Sequence, residues 1–184
     1  MYALLMLVFA YLLGSIPTGF LLGSLSGVDV RQAGSGNVGA TNVARVVGKK
    51  QGLITLLGDV AKGFIPVYLS VHLGWSVTIT GLVALAAFLG HLYPVFLKFQ
   101  GGKGVATALG IFLSLAPMAT VVIVFVFAFV IGVSRMVSLA SLVAAGFAPL
   151  APLPWLTTVG LLQENRLAFS AVALAWLTAW GARA

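Results

Sequence analysis

The sequence predicts an all-α polytopic membrane protein, and three observations carry that expectation. Hydrophobic residues make up 61% of the 184-residue chain and charged residues only 7%, whereas a soluble domain carries about 25% charged residues. So little polar surface cannot cover a water-soluble globule. The apolar runs are long and uninterrupted, without the period-two alternation of a transmembrane barrel, and mean hydropathy is +1.14. The breaks between runs are rich in glycine or proline and hold most of the Lys and Arg residues. The net charge of +7 therefore reads as the basic bias of cytoplasmic loops, not as a nucleic-acid site. Cysteine is absent, which excludes disulfide and thiol chemistry.

The elements follow in order. Leu4–Leu25 is the first apolar run, interrupted at Gly14-Ser15-Ile16-Pro17. The first formal charge is Asp29, so the run lacks the basic n-region of a cleavable signal and is expected to be a retained helix. Leu53–Leu73 is the second span and carries Asp59 and Lys62; Val77–Leu97 is the third. The stretch from Gly104 to Ser134 is too long for one ordinary span of about 20 residues. Pro117 divides it into Val105–Ala116 and Met118–Ser134. Val137–Leu150 follows and ends at the breaker Pro149–Pro154, and Leu167–Trp180 is the last. That makes about seven segments in one domain, residues 1–184, some of them short or half-spanning.

Lys and Arg set the orientation. With seven segments, Arg31, Arg45, Lys49, Lys50, Lys98, Lys103, Arg135 and Arg183 share one side, and Arg166 faces the other. The expected topology is N-terminus outside and C-terminus cytoplasmic. A five-segment count moves Arg135 outside but leaves both glycine clusters on the cytoplasmic face.

The first cluster, Gly34-Ser35-Gly36-Asn37-Val38-Gly39-Ala40-Thr41-Asn42 with Arg45, has the makings of a phosphate site. Glycine backbone N–H groups can converge on an anion, and Ser35, Asn37, Thr41 and Asn42 add side-chain donors. A helix starting near Ala40 would put Thr41 and Arg45 on one face, and the guanidinium fork suits phosphate. Glycine spacing alone leaves a plain turn-forming loop equally open. The second cluster, Gln100-Gly101-Gly102-Lys103-Gly104, is not a P-loop: Gly follows the lysine, and no strand precedes it. It reads as a lysine on a glycine loop that caps a helix from Val105, with Thr107 in the first turn, or as an interfacial snorkelling lysine.

Asp59 and Lys62 sit three apart on one helix face, inside a span where charges normally pair or line a polar site. The spacing favours mutual neutralisation over direct catalysis. His91 reads as a hydrogen-bonded structural histidine and His72 as interfacial. The two histidines and three carboxylates have no metal-ligand spacing, so neither metal nor cofactor is expected.

Four ordered motifs resemble the acyl-phosphate-dependent glycerol-3-phosphate acyltransferases, the PlsY family of bacteria. They are Gly14-Ser15-Ile16-Pro17-Thr18-Gly19, the Gly34–Asn42 loop, Gly90-His91-Leu92-Tyr93-Pro94-Val95-Phe96, and Phe99-Gln100-Gly101-Gly102-Lys103-Gly104-Val105-Ala106-Thr107. Val137-Ser138-Leu139-Ala140-Ser141 after Arg135 also fits. The resemblance implies an inner-membrane enzyme of phospholipid synthesis with its active site facing the cytoplasm. It would transfer the acyl group of acyl phosphate to the sn-1 hydroxyl of glycerol 3-phosphate, giving lysophosphatidic acid and phosphate.

Its catalytic residues would be Ser35, Arg45 and Lys103. The phosphate-binding set would add Gly34, Gly36, Asn37, Thr41, Asn42, Gly101, Gly102 and Gly104, with Asp59, Lys62, His91 and Thr107 in support. Partners would be the two substrates and membrane lipid, with no nucleic acid and no obligate protein partner. The family's third motif, with its His, Asn and Glu, has no counterpart after Arg166. The resemblance therefore leads to the expectation of phosphate binding with reduced turnover. The alternative from another class is a transporter or binding protein for a phosphorylated solute; short Pro-broken helices suit it, but there is no evident repeat.

Overall fold

A computed structural model describes residues 2–147, and every regular element among them is helical. Helix α1 (Tyr2–Ser15) and helix α2 (Thr18–Leu25) form one broken span, with the break at Ile16-Pro17. A short helix α3 (Ala40–Val46) lies in the loop that follows. Then come α4 (Lys49–His72), α5 (Val77–Leu92) with a 3-10 turn at Val95–Leu97, α6 (Val105–Leu115), α7 (Pro117–Ser134) and α8 (Val137–Phe147). Four of these stretches, Tyr2–Leu25, Lys49–His72, Val77–Leu97 and Pro117–Ser134, are long and apolar enough to cross a membrane; α6 and α8 are shorter. The sequence expectations for Pro149–Pro154, for the span at Leu167–Trp180 and for the tail beyond Arg166 lie outside the described residues.

Three of the prolines among the described residues act in different ways. Pro17 breaks the first span, and Pro117 starts α7 at the position where a missing N–H costs nothing. Pro66 lies inside α4, buried, and the helix runs through it. Neighbouring helices cover the backbone there, which is how spanning helices tolerate proline.

Helix α4 packs chiefly on α6, and α1 on α5. Both contacts close on missing side chains. A Cβ on Gly63 would meet the Thr107 carbonyl, and one on Gly110 the Val60 carbonyl. A Cβ on Gly14 would meet Ala87, and one on Gly90 the Tyr11 carbonyl. Small residues that let backbones approach are the usual means of helix association in lipid. The main core gathers Val67, Val83, Phe88, Leu92, Ile111 and Leu115. Outward-facing Leu4, Leu57, Phe125, Phe129 and Val133 are exposed, a surface that fits a bilayer.

Residues 26–48 are not a slack connection. Val30, Val38, Val43 and Leu97 form a second small core, with Phe20 and Val46 packed against it. Arg31 pairs with Asp29 at 2.8 Å and lies over the Phe20 ring, 4.5 Å from its centroid. The Arg31 side chain and N–H, hydrogen-bonded to Asp29, lower that carboxyl to about 2. The loop is therefore packed around its own small core.

Candidate active site

Asn42 organises the first glycine loop. It is buried, and its amide nitrogen lies 3.0, 3.0 and 2.9 Å from the carbonyls of Val30, Ala33 and Asn37. Its Oδ1 accepts from the Ser35 N–H at 2.9 Å. Gly34, at φ +64, lies so close that a Cβ would strike that oxygen. Asn37 closes a local turn by accepting from the Gly39 N–H at 2.8 Å, and the Gly36 N–H donates to Ala33.

The amide of Asn42 and the N–H groups of Ser35, Gly36 and Gly39 are hydrogen-bonded inside the loop and hold its shape. Ser35, Thr41 and Arg45 are exposed on the loop surface. Helix α3 begins at Ala40, as expected, which puts Thr41 and Arg45 on one face.

The second loop lies against the end of α5. The Gly101 and Gly102 N–H groups donate to the Leu92 and His91 carbonyls, each at 3.2 Å. They too are hydrogen-bonded to the scaffold. Gly104, at φ +79, packs on the Phe88 ring and precedes α6.

Beneath this loop lies a buried polar chain. Lys62 Nζ bonds the Ile16 carbonyl and Asp59 Oδ1, both at 2.9 Å. His91 Nδ1 stands 3.9 Å from Asp59 Oδ1 and 3.1 Å from Thr107 Oγ1. Asp59, Lys62 and His91 are only 2%, 5% and 5% exposed, so the ion pair exists because each charge has a partner. A void of about 10 Å³ adjoins Thr18, Asp59, Lys62 and His91, room for about one water.

A far larger cavity, about 720 Å³, joins the two loops. Ser35, Thr41, Arg45 and Lys103 line it, together with Asp59 and His91. Three helices supply the rest as stripes at helical spacing: Val105, Ala108, Leu109 and Phe112 of α6; Thr120, Ile123, Val124 and Phe127 of α7; Ser138, Ser141 and Ala144 of α8. Arg135 also lines it. The sequence assigned Arg135 only to the basic-side rule, yet its left-handed backbone, φ 55 and ψ 16, makes the tight turn between α7 and α8. The signal that could have found it was its place two residues before Val137–Ser141. Cations and hydroxyls thus share one continuous space with an apolar arm. Among the described residues no cluster of His, Cys, Asp or Glu could hold a metal ion.

A helical membrane protein whose cavity offers cations and hydroxyls beside an apolar arm is built for a phosphorylated amphiphile. The model of the glycerol-3-phosphate acyltransferase family matches residues 4–184, and the chain belongs to that family. It is 57% identical over 141 residues to the glycerol-3-phosphate acyltransferase of Trichlorobacter lovleyi, covering 77% of this chain and 73% of that one. It is 51% identical over 141 residues to the enzyme of Geobacter sulfurreducens, again covering 77% and 73%. Two crystal structures of the integral membrane enzyme PlsY superpose on it, one in the glycerol 3-phosphate form (TM-score 0.86, 38% identity) and one in the lysophosphatidic acid form (0.87, 39%). Each match covers 97% of this chain and 88% of the other.

Proposed function

We propose that this chain, as one membrane domain, transfers an acyl group from acyl phosphate to the sn-1 hydroxyl of glycerol 3-phosphate. The hydroxyl oxygen attacks the acyl carbonyl, the carbonyl–phosphate oxygen bond breaks, and phosphate leaves with the proton as lysophosphatidic acid forms. The carrying observation is the single 720 Å³ cavity, which joins Arg45, Lys103 and Arg135 to the stripes of α6, α7 and α8. Two phosphates repel one another, and the three cations offset that repulsion while holding the hydroxyl near the carbonyl. Arg45 and Lys103 take the phosphates, with Ser35 and Thr41 as hydroxyl donors. Phe112, Ile123 and Phe127 flank the acyl chain. An acyl phosphate is already activated, so a covalent enzyme intermediate is unnecessary.

The reading places seven spans in a bacterial inner membrane, N-terminus outside, C-terminus and site cytoplasmic. The grouping of Arg31, Arg45, Lys49, Lys50, Lys98, Lys103 and Arg135 supports it. The test is purified protein given glycerol 3-phosphate with acyl phosphate or an acyl thioester. Lysophosphatidic acid and phosphate in equal amounts from acyl phosphate are expected. Product from the thioester alone would remove the proposed donor; product from neither would overturn the reading. Cysteines at the exposed positions Gln32 and Gln100 should both label from the cytoplasm; labelling of either from outside refutes the orientation.

A further inference from the structure

We propose that the Asp59–Lys62–His91 chain is a positioning device for the second glycine loop, with His91 as the part that touches it. The link to catalysis rests on the reading of Lys103 as a phosphate contact; the link to the loop does not. Four separate elements converge here. Lys62 fastens α4 to the Ile16 carbonyl at the break between α1 and α2 and holds Asp59 at 2.9 Å. Asp59 faces His91 on α5, and Thr107 of α6 bonds the same imidazole nitrogen at 3.1 Å.

The opposite edge of the ring meets the loop. A Cβ on Gly102 would strike His91 Nε2, and the His91 carbonyl accepts from the Gly102 N–H at 3.2 Å. A Cβ on Gly101 would strike that same carbonyl. His91 therefore holds the loop by ring and by backbone, one residue before Lys103, and Gly102 is the residue that lets the ring come so close.

Two other roles fit less well. A pair that only neutralised its own charge could sit anywhere along α4, yet this one adjoins the histidine that bears on Gly102. A proton relay needs hydrogen-bond contact at each step, directly or through one water. His91 Nδ1 is 3.9 Å from Asp59 Oδ1, beyond direct hydrogen-bond range, and that oxygen already accepts from Lys62, so a relay along this chain would have to pass through a water in the adjoining void. The geometry is that of a wedge.

The test uses the whole chain in lipid nanodiscs and reads amide hydrogen exchange beside acyl-transfer kinetics. His91→Ala should raise exchange of the amides at Gly101–Gly104 by about tenfold or more, leaving the loop around Asn42 and the helix interiors unchanged, because only a local opening is released. Asp59→Asn and Lys62→Met should each loosen the same amides. The double variant, a neutral pair of similar shape, should restore much of their protection and of kcat, which loss of a proton relay would not allow. Gly102→Ala should lower kcat/KM, and adding His91→Ala to it should cost little more, because both break one contact.

Exchange that rises equally across the whole chain would mean a merely structural pair and overturns the proposal. So would unchanged exchange in the loop, or Gly102→Ala and His91→Ala effects that multiply. Lys103→Ala is the separate control. Wild-type turnover there removes the phosphate role of Lys103, while a local exchange pattern in the His91 variant still upholds the positioning role.

Discussion

Replacing Asn42 by Ala is the sharpest test of how the first loop works. The side chain satisfies the Ser35 N–H and the carbonyls of Val30, Ala33 and Asn37. Its two N–H hydrogens are shared among three carbonyls, so the set counts as about three full bonds. At roughly 0.5–1.5 kcal/mol net for each bond, the sum is about 1.5–4.5 kcal/mol. Water can reach the carbonyls of Ala33 and Asn37 once the side chain is gone, but Val30 is fully buried, which brings the expected loss to about 2–3 kcal/mol. That corresponds to a shift of about 30–150-fold in the ratio of ordered to open loop.

Amide exchange across residues 30–45 without substrates measures the shift directly. Acyl-transfer rates then show the consequence, a fall in kcat/KM as Ser35 and Arg45 lose their placement. Asn42→Asp should be no better than Ala: it keeps the acceptor for Ser35 but sets a carboxylate against three carbonyls. Unchanged exchange in substrate-free Asn42→Ala, with a raised KM alone, would refute the reasoning and make Asn42 a substrate contact.

Other substitutions probe the site and the frame. Arg45→Ala should lower kcat/KM by about 10–100-fold, the loss of one charge-assisted phosphate contact, while Lys49→Ala in the first turn of α4 has little effect; Arg45→Lys should rescue only in part. Arg135→Ala should raise KM for a phosphorylated substrate and leave thermal stability near wild type, which a purely topological charge would not do. Gly63→Ala should lower the melting temperature in detergent through about 1–3 kcal/mol of overpacking against the Thr107 carbonyl, whereas Gly132→Ala, with nothing within 4 Å of its Cβ, should be silent. The Asp29 carboxyl, held at about 2 by Arg31, stays ionised until strongly acid pH. A folded-state value depressed in this way keeps the Asp29–Arg31 tether above the ordinary carboxylate range and loses it only as pH falls through about 2. Amide exchange of residues 29–32 should therefore show no pH-linked opening across the neutral range.

Among the described residues the apolar runs located the four long helical stretches well, because burial in lipid demands about 20 apolar residues whatever the tertiary contacts. Pro117 divided its run as expected, and the helix at Ala40 set Thr41 and Arg45 together. What the sequence hid was direction. An asparagine in a glycine loop can bond outward to a ligand or inward to the backbone, and composition is the same for both; Asn42 turned inward. Proline in a span can break or merely pass, and Pro66 passed because neighbours covered it. His91 and Asp59 are far apart in the chain and meet only through the packing of α4 on α5. Arg135 satisfied a simpler rule, which left no reason to look for a second role.

The backbone-on-backbone crossings at Gly63 with Gly110 and at Gly14 with Gly90 have a consequence for handling this protein. Such contacts draw on close atomic contact, not on expulsion of water, since lipid tails are as apolar as the helices themselves. The pairing of α4 with α6 therefore does not depend on expelling water, and Asp59 and Thr107, which sit on those two helices, are expected to keep their register when detergent replaces the bilayer.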